Sequence, residues 1–252
     1  QCGDGTEDIT LTIPDDVDPD PRYDGWYTVF DTDDQKAYDL WRARREDDGS
    51  ISYQFMRQWD LNGPGFQKPY VVSARGSGLP LFGGLIRSGE LERGEVNHAL
   101  AISVPGAAAG SFIQPASSTD GNGPVTSLPE GARIFLKSDF QLQRPVDQDT
   151  GRPYKWTARQ QKYARYLIET LKTYGAIVVD RAAVPTFYFE RIEDNERTPL
   201  LRGYELNSIG LEDFNVVDFD GDDRIQYPPA DETVDSTDLE GQAPVLTQGV
   251  SN

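Results

Sequence analysis

The chain has 252 residues, 37% of them hydrophobic and 11% aromatic, enough for one large domain or two small ones around a buried core. A single Cys excludes an intrachain disulfide framework and a single His excludes a histidine metal cluster. The net charge of −18 argues against a nucleic-acid partner, and no apolar run is long enough for a membrane span.

The charge is unevenly placed. Residues 1–35 hold eleven acids and one base, Arg22; residues 218–252 hold nine acids and one base, Arg224. Residues 36–217 carry 22 acids and 22 bases. The chain therefore divides into an acidic N-terminal arm (1–35), a charge-neutral β-rich body (36–217) and an acidic C-terminal arm (218–252). Such arms keep a protein soluble, bind divalent cations or dock onto a basic partner. We expect both to be pinned, along the body or onto a neighbouring copy. The start, Gln1-Cys2-Gly3-Asp4-Gly5, lacks Met and fits a processed form from which a secretory leader has gone. Cys2 is read as a lipid tether, an intermolecular disulfide or an idle thiol.

Taken in order, Trp26–Phe30, Ala37–Ala43 and Ile51–Trp59 read as strands rich in β-branched and aromatic residues. Asp48-Gly49 is a hairpin signal. Residues 60–84 are rich in Gly and Pro and read as a long ordered loop. Leu85–Gly94 contains a short helix. His98–Pro105 is a strand whose alternation puts His98 on the face of Leu100, Ile102 and Val104. Residues 105–131 form a second long loop, and Arg133–Leu136 is a short strand. The strongest helix is 158–174: Thr157 with Gln160 makes a capping box, and Tyr163, Leu167, Leu171 and Tyr174 share one face. Gly175 ends it. Ala176–Asp180 is a buried strand with Pro185–Ile192 as its hairpin partner, and a short strand or turn follows near Phe214–Val217. No repeat or linker divides the body. These elements predict a mainly β fold, a β-sandwich or jelly-roll-like single domain with long Gly/Pro loops and one well-formed helix.

Several of these segments also form an ordered string of motifs: Tyr38-Asp39-Leu40-Trp41; Ser77-Gly78-Leu79-Pro80-Leu81-Phe82-Gly83-Gly84-Leu85-Ile86-Arg87 with Glu90; His98-Ala99-Leu100 with Pro105; Pro115-Ala116; Thr119-Asp120-Gly121; Gly131-Ala132-Arg133; and Leu171-Lys172-Thr173-Tyr174-Gly175 with Asp180-Arg181. Over residues 24–190 this string resembles a family of secreted bacterial proteins, frequent in actinobacteria. The resemblance implies an extracellular or cell-surface setting and names no activity. The acidic arms lie outside it.

The polar members of the string are Asp39, Glu90, Asp180 and His98. Cleaving a glycosidic bond requires two carboxylates, one protonated and one ionised. Glu90 is the expected acid, with Asp39 or Asp180 as base or nucleophile, and His98, Trp41 and Arg87 are the expected substrate contacts. The plainer reading has Asp39 and Asp180 ending strands, Glu90 paired with Arg87 or Arg93, and His98 satisfied in the core. Asp218-Phe219-Asp220-Gly221-Asp222-Asp223 resembles the start of a calcium loop, with Asp218, Asp220 and Asp222 as ligands for Ca2+. Asp223 at its sixth position and Pro229 at its twelfth separate it from an EF-hand. No Gly-x-Ser-x-Gly elbow appears, and Gly76–Gly84 lacks the ending of a phosphate loop.

Two functions stay open on these grounds. One is an extracellular carbohydrate-active enzyme, a glycoside hydrolase or polysaccharide lyase acting through paired carboxylates. The other is a non-catalytic glycan-binding or structural subunit of a surface assembly, joined to copies of itself through the arms. The expected partner is a polysaccharide or cell-surface glycan, or a second copy of the chain joined through the arms.

Overall fold

The computed structural model describes residues 11–22, 24–147, 149–191, 201–218 and 223–227. The fold is mainly β, with strands in several sheets and one long helix, as the residue patterns predict.

The N-terminal part of the body is an antiparallel sheet of β1 (Tyr27–Asp31), β2 (Lys36–Trp41) and β5 (Phe55–Asp60), with β2 in the middle. Residues 51–59 do not form one strand. They split into β4 (Ile51–Ser52), which pairs with β3 (Arg44–Arg45), and β5. Gly49, at φ +86°, turns the β3–β4 hairpin in a conformation that L side chains rarely adopt. Tyr27, Val29, Tyr38, Leu40 and Met56 bury themselves together on one side of this sheet, with Leu11 and Ile13 of the N-terminal arm packed against them. Arg45 holds the arm down through Asp18, 2.6 Å away, and the carbonyls of Pro14 and Val17.

The second sheet has the order β10 (Thr186–Phe187), β6 (Leu100–Val104), β9 (Ala176–Arg181), β8 (Arg133–Leu136), β11 (Phe214–Val216). Its central pair, β6 and β9, is parallel, and the long chain between them contains the crossover helix α2 (Ala158–Thr173). Parallel neighbours need such a connection. Thr157 caps α2 as expected: its hydroxyl accepts from the Gln160 N–H at 3.2 Å. Tyr163, Leu167, Ile168 and Leu171 of α2 pack with Leu100, Ile102, Val104, Ile134 and Val178 in the main core. Residues 185–191 do not pair with β9. β10 joins β6 instead, because the other edge of β9 is taken by β8.

The short helix α1 (Ser88–Arg93) lies where the sequence places it and ends at Gly94, φ +76°. Two short strands, β7 (Ser111–Phe112) and β12 (Ile225–Gln226), carry no sequence signal of their own; their pairing fastens the described start of the C-terminal arm to the body. Arg224 adds hydrogen bonds to the Val125 and Ser127 carbonyls. No helix among the described residues is long and apolar enough to cross a membrane.

Candidate active site

The two sheets and the long loops between them border a cleft of about 1020 Å³. Trp41 at the end of β2 lines it together with Arg42 just beyond and Trp26 just before β1; Arg75, Gly76, Asp120, Asp180 and Arg181 line it from the loops and β9. Tyr227, just beyond β12, also lies on its wall.

Asp180 sits near the end of β9. The register between β6 and β9 shifts between Ile102 and Ser103, so that Ile102 faces Val178 and Ser103 faces Asp180. Such irregularities re-aim side chains next to functional sites. The Val179 side chain joins Leu79 and Ala101 in a small cluster. Asp180 lines the cleft, its Oδ1 accepting the Arg181 N–H at 2.8 Å.

Asp120 is brought to Asp180 by a loop stitched to its neighbours. The Ser117 N–H donates to the Ser77 carbonyl at 2.9 Å, and the Ser118 hydroxyl donates to the Gly76 carbonyl at 2.8 Å. Beyond Asp120, the Gly123 N–H donates to the Ala107 carbonyl at 2.8 Å. The Arg181 guanidinium donates to Asp120 Oδ2 at 2.7 Å, so a fixed cation faces this carboxylate. Gly76 makes the approach possible: a Cβ there would run into the Asp120 carboxylate and stand 3.2 Å from Asp180 Oδ1.

Glu130 lies behind the pair. Its backbone bridges β7, with the Ile113 N–H donating to the Glu130 carbonyl at 3.0 Å, and the next N–H, Gly131, donates to Val178 of β9 at 2.8 Å. These two bonds place Glu130 beside β9. Its side chain is fully buried, and neither carboxylate oxygen has a hydrogen-bond partner among the described residues. Asp120, Glu130 and Asp180 each offer an oxygen, and the three lie within 4.8 Å of one another.

Three carboxylates this close cannot ionise independently. Burial, and then the charge of Asp120, raises the Asp180 carboxyl to about 6, against the pull of the Arg181 N–H and the Arg75 charge. Burial pushes Glu130 further, to about 9, aided by the charges of Asp120 and Asp180. Arg75 is a buried cation held in place by the carbonyls of Pro80 and Leu81, at 2.8 and 3.0 Å. Its guanidinium packs over Tyr188, 4.8 Å from the ring centroid, and Trp26, at 5.5 Å.

Of the residues singled out in the sequence, Asp180 and Trp41 share this cleft; Asp39, Glu90, Arg87 and His98 are not in its lining. Asp39 is fully buried in β2 and receives three donors: the Thr28 hydroxyl at 2.6 Å, Trp59 Nε1 at 2.8 Å and the Leu81 N–H at 2.7 Å. It joins the first sheet to the loop 73–83 that carries Arg75 and Gly76. Glu90 caps α1 by accepting the Arg87 N–H, and takes Arg87 Nη1 and His98 Nε2, all at 3.2 Å. His98 Nδ1 lies 2.9 Å from the Ala99 carbonyl, and the residue precedes β6 instead of sitting within it. Glu90, Arg87 and His98 thus form a cluster of their own. Asp218 is exposed, whereas Asp220 and Asp222 lie outside the described residues, so the calcium-loop expectation falls there too.

Asp120 and Glu130 escaped the sequence reading. Asp120 stands in the Thr119-Asp120-Gly121 motif without any carboxylate nearby in sequence to mark it. Glu130 had a fainter signal, as the only acid in the apolar stretch Leu128–Ala132. No family model, curated protein or solved structure matches the chain.

Proposed function

We propose that this protein is an extracellular glycoside hydrolase in which Asp180 and Asp120 are the working carboxylates. The observation that carries the reading is the close pair itself. Asp120 and Asp180 line one open cleft with oxygens within 4.8 Å, and Trp26 and Trp41 line the same cleft. Retaining glycosidases hold their carboxyls about 5–5.5 Å apart, whereas inverting ones leave about 6.5–9.5 Å for a water. The separation here favours the retaining course.

In that course Asp180 is the acid. A carboxyl with a pKa of about 6 keeps its proton at mildly acidic pH and can give it up to a leaving group. Asp120, charge-matched by Arg181, is the nucleophile. Asp180 protonates the glycosidic oxygen as the bond to the anomeric carbon breaks, and an Asp120 oxygen bonds to that carbon. Water then attacks the anomeric carbon, its bond to the Asp120 oxygen breaks and frees the carboxylate, the water's proton passes to Asp180, and the sugar leaves with its configuration retained. Trp41 supplies a ring for a sugar face. Its indole is fixed by Nε1 donating to Asp24 at 3.1 Å and by the Arg42 guanidinium, 4.3 Å from its centroid. The extracellular setting rests on the resemblance of residues 24–190 to secreted bacterial proteins.

The test is a digestion panel of plant, algal and bacterial polysaccharides, with products read by mass spectrometry. Defined oligosaccharides from the wild type, absent with Asp180→Asn, are the expected result. Tight binding of a glycan with no product from any polymer would turn the reading to a glycan-binding subunit.

A further inference from the structure

Glu130 poses a physical problem that the hydrolase reading leaves unsolved. Its carboxyl is fully buried, no donor satisfies either oxygen among the described residues, and two further carboxylates lie within 4.8 Å. A buried, unpaired carboxylate is costly, and two acidic neighbours make it costlier. Either a cation or a proton must resolve this.

The charges already in place argue against a cation. Three carboxylates could hold a hard divalent ion whose shell water completes, but cationic charge is already present. The Arg181 guanidinium occupies Asp120 Oδ2 at 2.7 Å, and the buried Arg75 guanidinium acts on Asp180 from the loop 73–83. A proton requires no further ligands. It sits on one oxygen and is donated to a facing carboxylate, as in other pairs of acids that share a site.

We propose that Glu130 is kept as a neutral carboxylic acid, a buried positioning residue whose O–H is donated to the Asp120 carboxylate and fixes it beside Asp180. The purpose of that positioning rests on the hydrolase reading; the protonation does not. The groups that face Glu130 are Asp120 on the 117–123 loop and Asp180 and Arg181 on β9. Burial and the two acidic neighbours all favour the neutral form. The arrangement also explains why Glu130 is anchored twice through its backbone region, to Ile113 and, one residue on, to Val178. A proton donor set at that depth holds the Asp120 carboxylate from behind while Arg181 holds its other side.

The test is infrared spectroscopy of the full chain titrated with acid and base, which needs no substrate. The wild type should show the C=O stretch of a protonated carboxylic acid at neutral pH, absent from Glu130→Gln and still present in Glu90→Gln. The band should vanish only towards about pH 9. Asp120→Asn removes the neighbouring charge and should move that loss at least one pH unit lower, which keeps the idea testable if Glu130→Gln does not fold. Absence of the band at neutral pH overturns the proposal. So does calorimetric binding of Ca2+ or Mn2+ that depends on Glu130. A band without hydrolysis sinks the hydrolase reading alone, and hydrolysis without a band sinks this inference alone.

Discussion

Replacing Glu130 by Gln should change how stability depends on pH, and the size of the change follows from the site. The native Glu130 carboxyl holds its proton up to about pH 9, whereas an ordinary Glu gives it up near 4.5. Between those values the native state binds a proton that the unfolded chain releases. Stability is therefore fully present below about 4.5 and falls as pH rises towards 9, by about 1.4 kcal/mol per pH unit for one proton. Asp180 and Asp39, raised to about 6, impose a similar slope only at lower pH. From about pH 6.5 to 8.5 the loss attributable to Glu130 is then about 3 kcal/mol, which for a chain of this size lowers Tm by roughly 5–12 °C. Gln keeps the shape and a donor but does not titrate. Thermal unfolding of both proteins across that range should show the decline in the wild type and its near absence in Glu130→Gln. Parallel curves would refute the reasoning, since they would mean that Glu130 is ionised in the native state.

Other consequences follow from the same geometry. Asp180→Asn should lower kcat/KM by roughly 10²–10⁴-fold, the usual worth of a positioned acid, with little change in Tm. Glu90→Gln should leave turnover within a few fold, because Glu90 caps α1 and pairs with Arg87 and His98 outside the cleft. Gly76→Ala should cost about 10²-fold in kcat/KM, since its Cβ displaces the Asp120 carboxylate; an unaffected enzyme would remove Asp120 from the mechanism. Asp39→Ala strands the Thr28, Trp59 and Leu81 donors and should cost about 2–4 kcal/mol in denaturant unfolding.

What the sequence discloses is mostly local. Helix α2 is written in its capping box, its apolar face and Gly175, and the structure ends it within a residue of the expected place. β8 is found at Arg133–Leu136 as expected. Pairing is less legible. Residues 185–192 look like the return arm of a hairpin from β9, yet β8, more than forty residues earlier in the chain, holds that edge. β7 and β12 are two residues each and exist through their mutual pairing. The site follows the same division. Asp180 ends a clear strand, and Asp39 and Glu90 sit in equally clear motifs, but one-dimensional spacing does not tell a carboxylate that faces a cleft from one that ties a sheet to a loop. Asp120 meets Asp180 only because Gly76 leaves room and Ser117 and Ser118 fasten the loop beneath it. Glu130 becomes conspicuous only when neither of its oxygens proves to have a hydrogen-bond partner among the described residues.

The measurement that bears most directly on the Asp120–Asp180 pair is the anomeric configuration of the first product. Proton NMR in the opening minutes of hydrolysis, before the free sugar equilibrates, reads it. Oxygens within 4.8 Å fall short of the roughly 6.5–9.5 Å that inverting enzymes hold open for their attacking water, so the account predicts a product with the configuration of the substrate. A product of inverted configuration would contradict it.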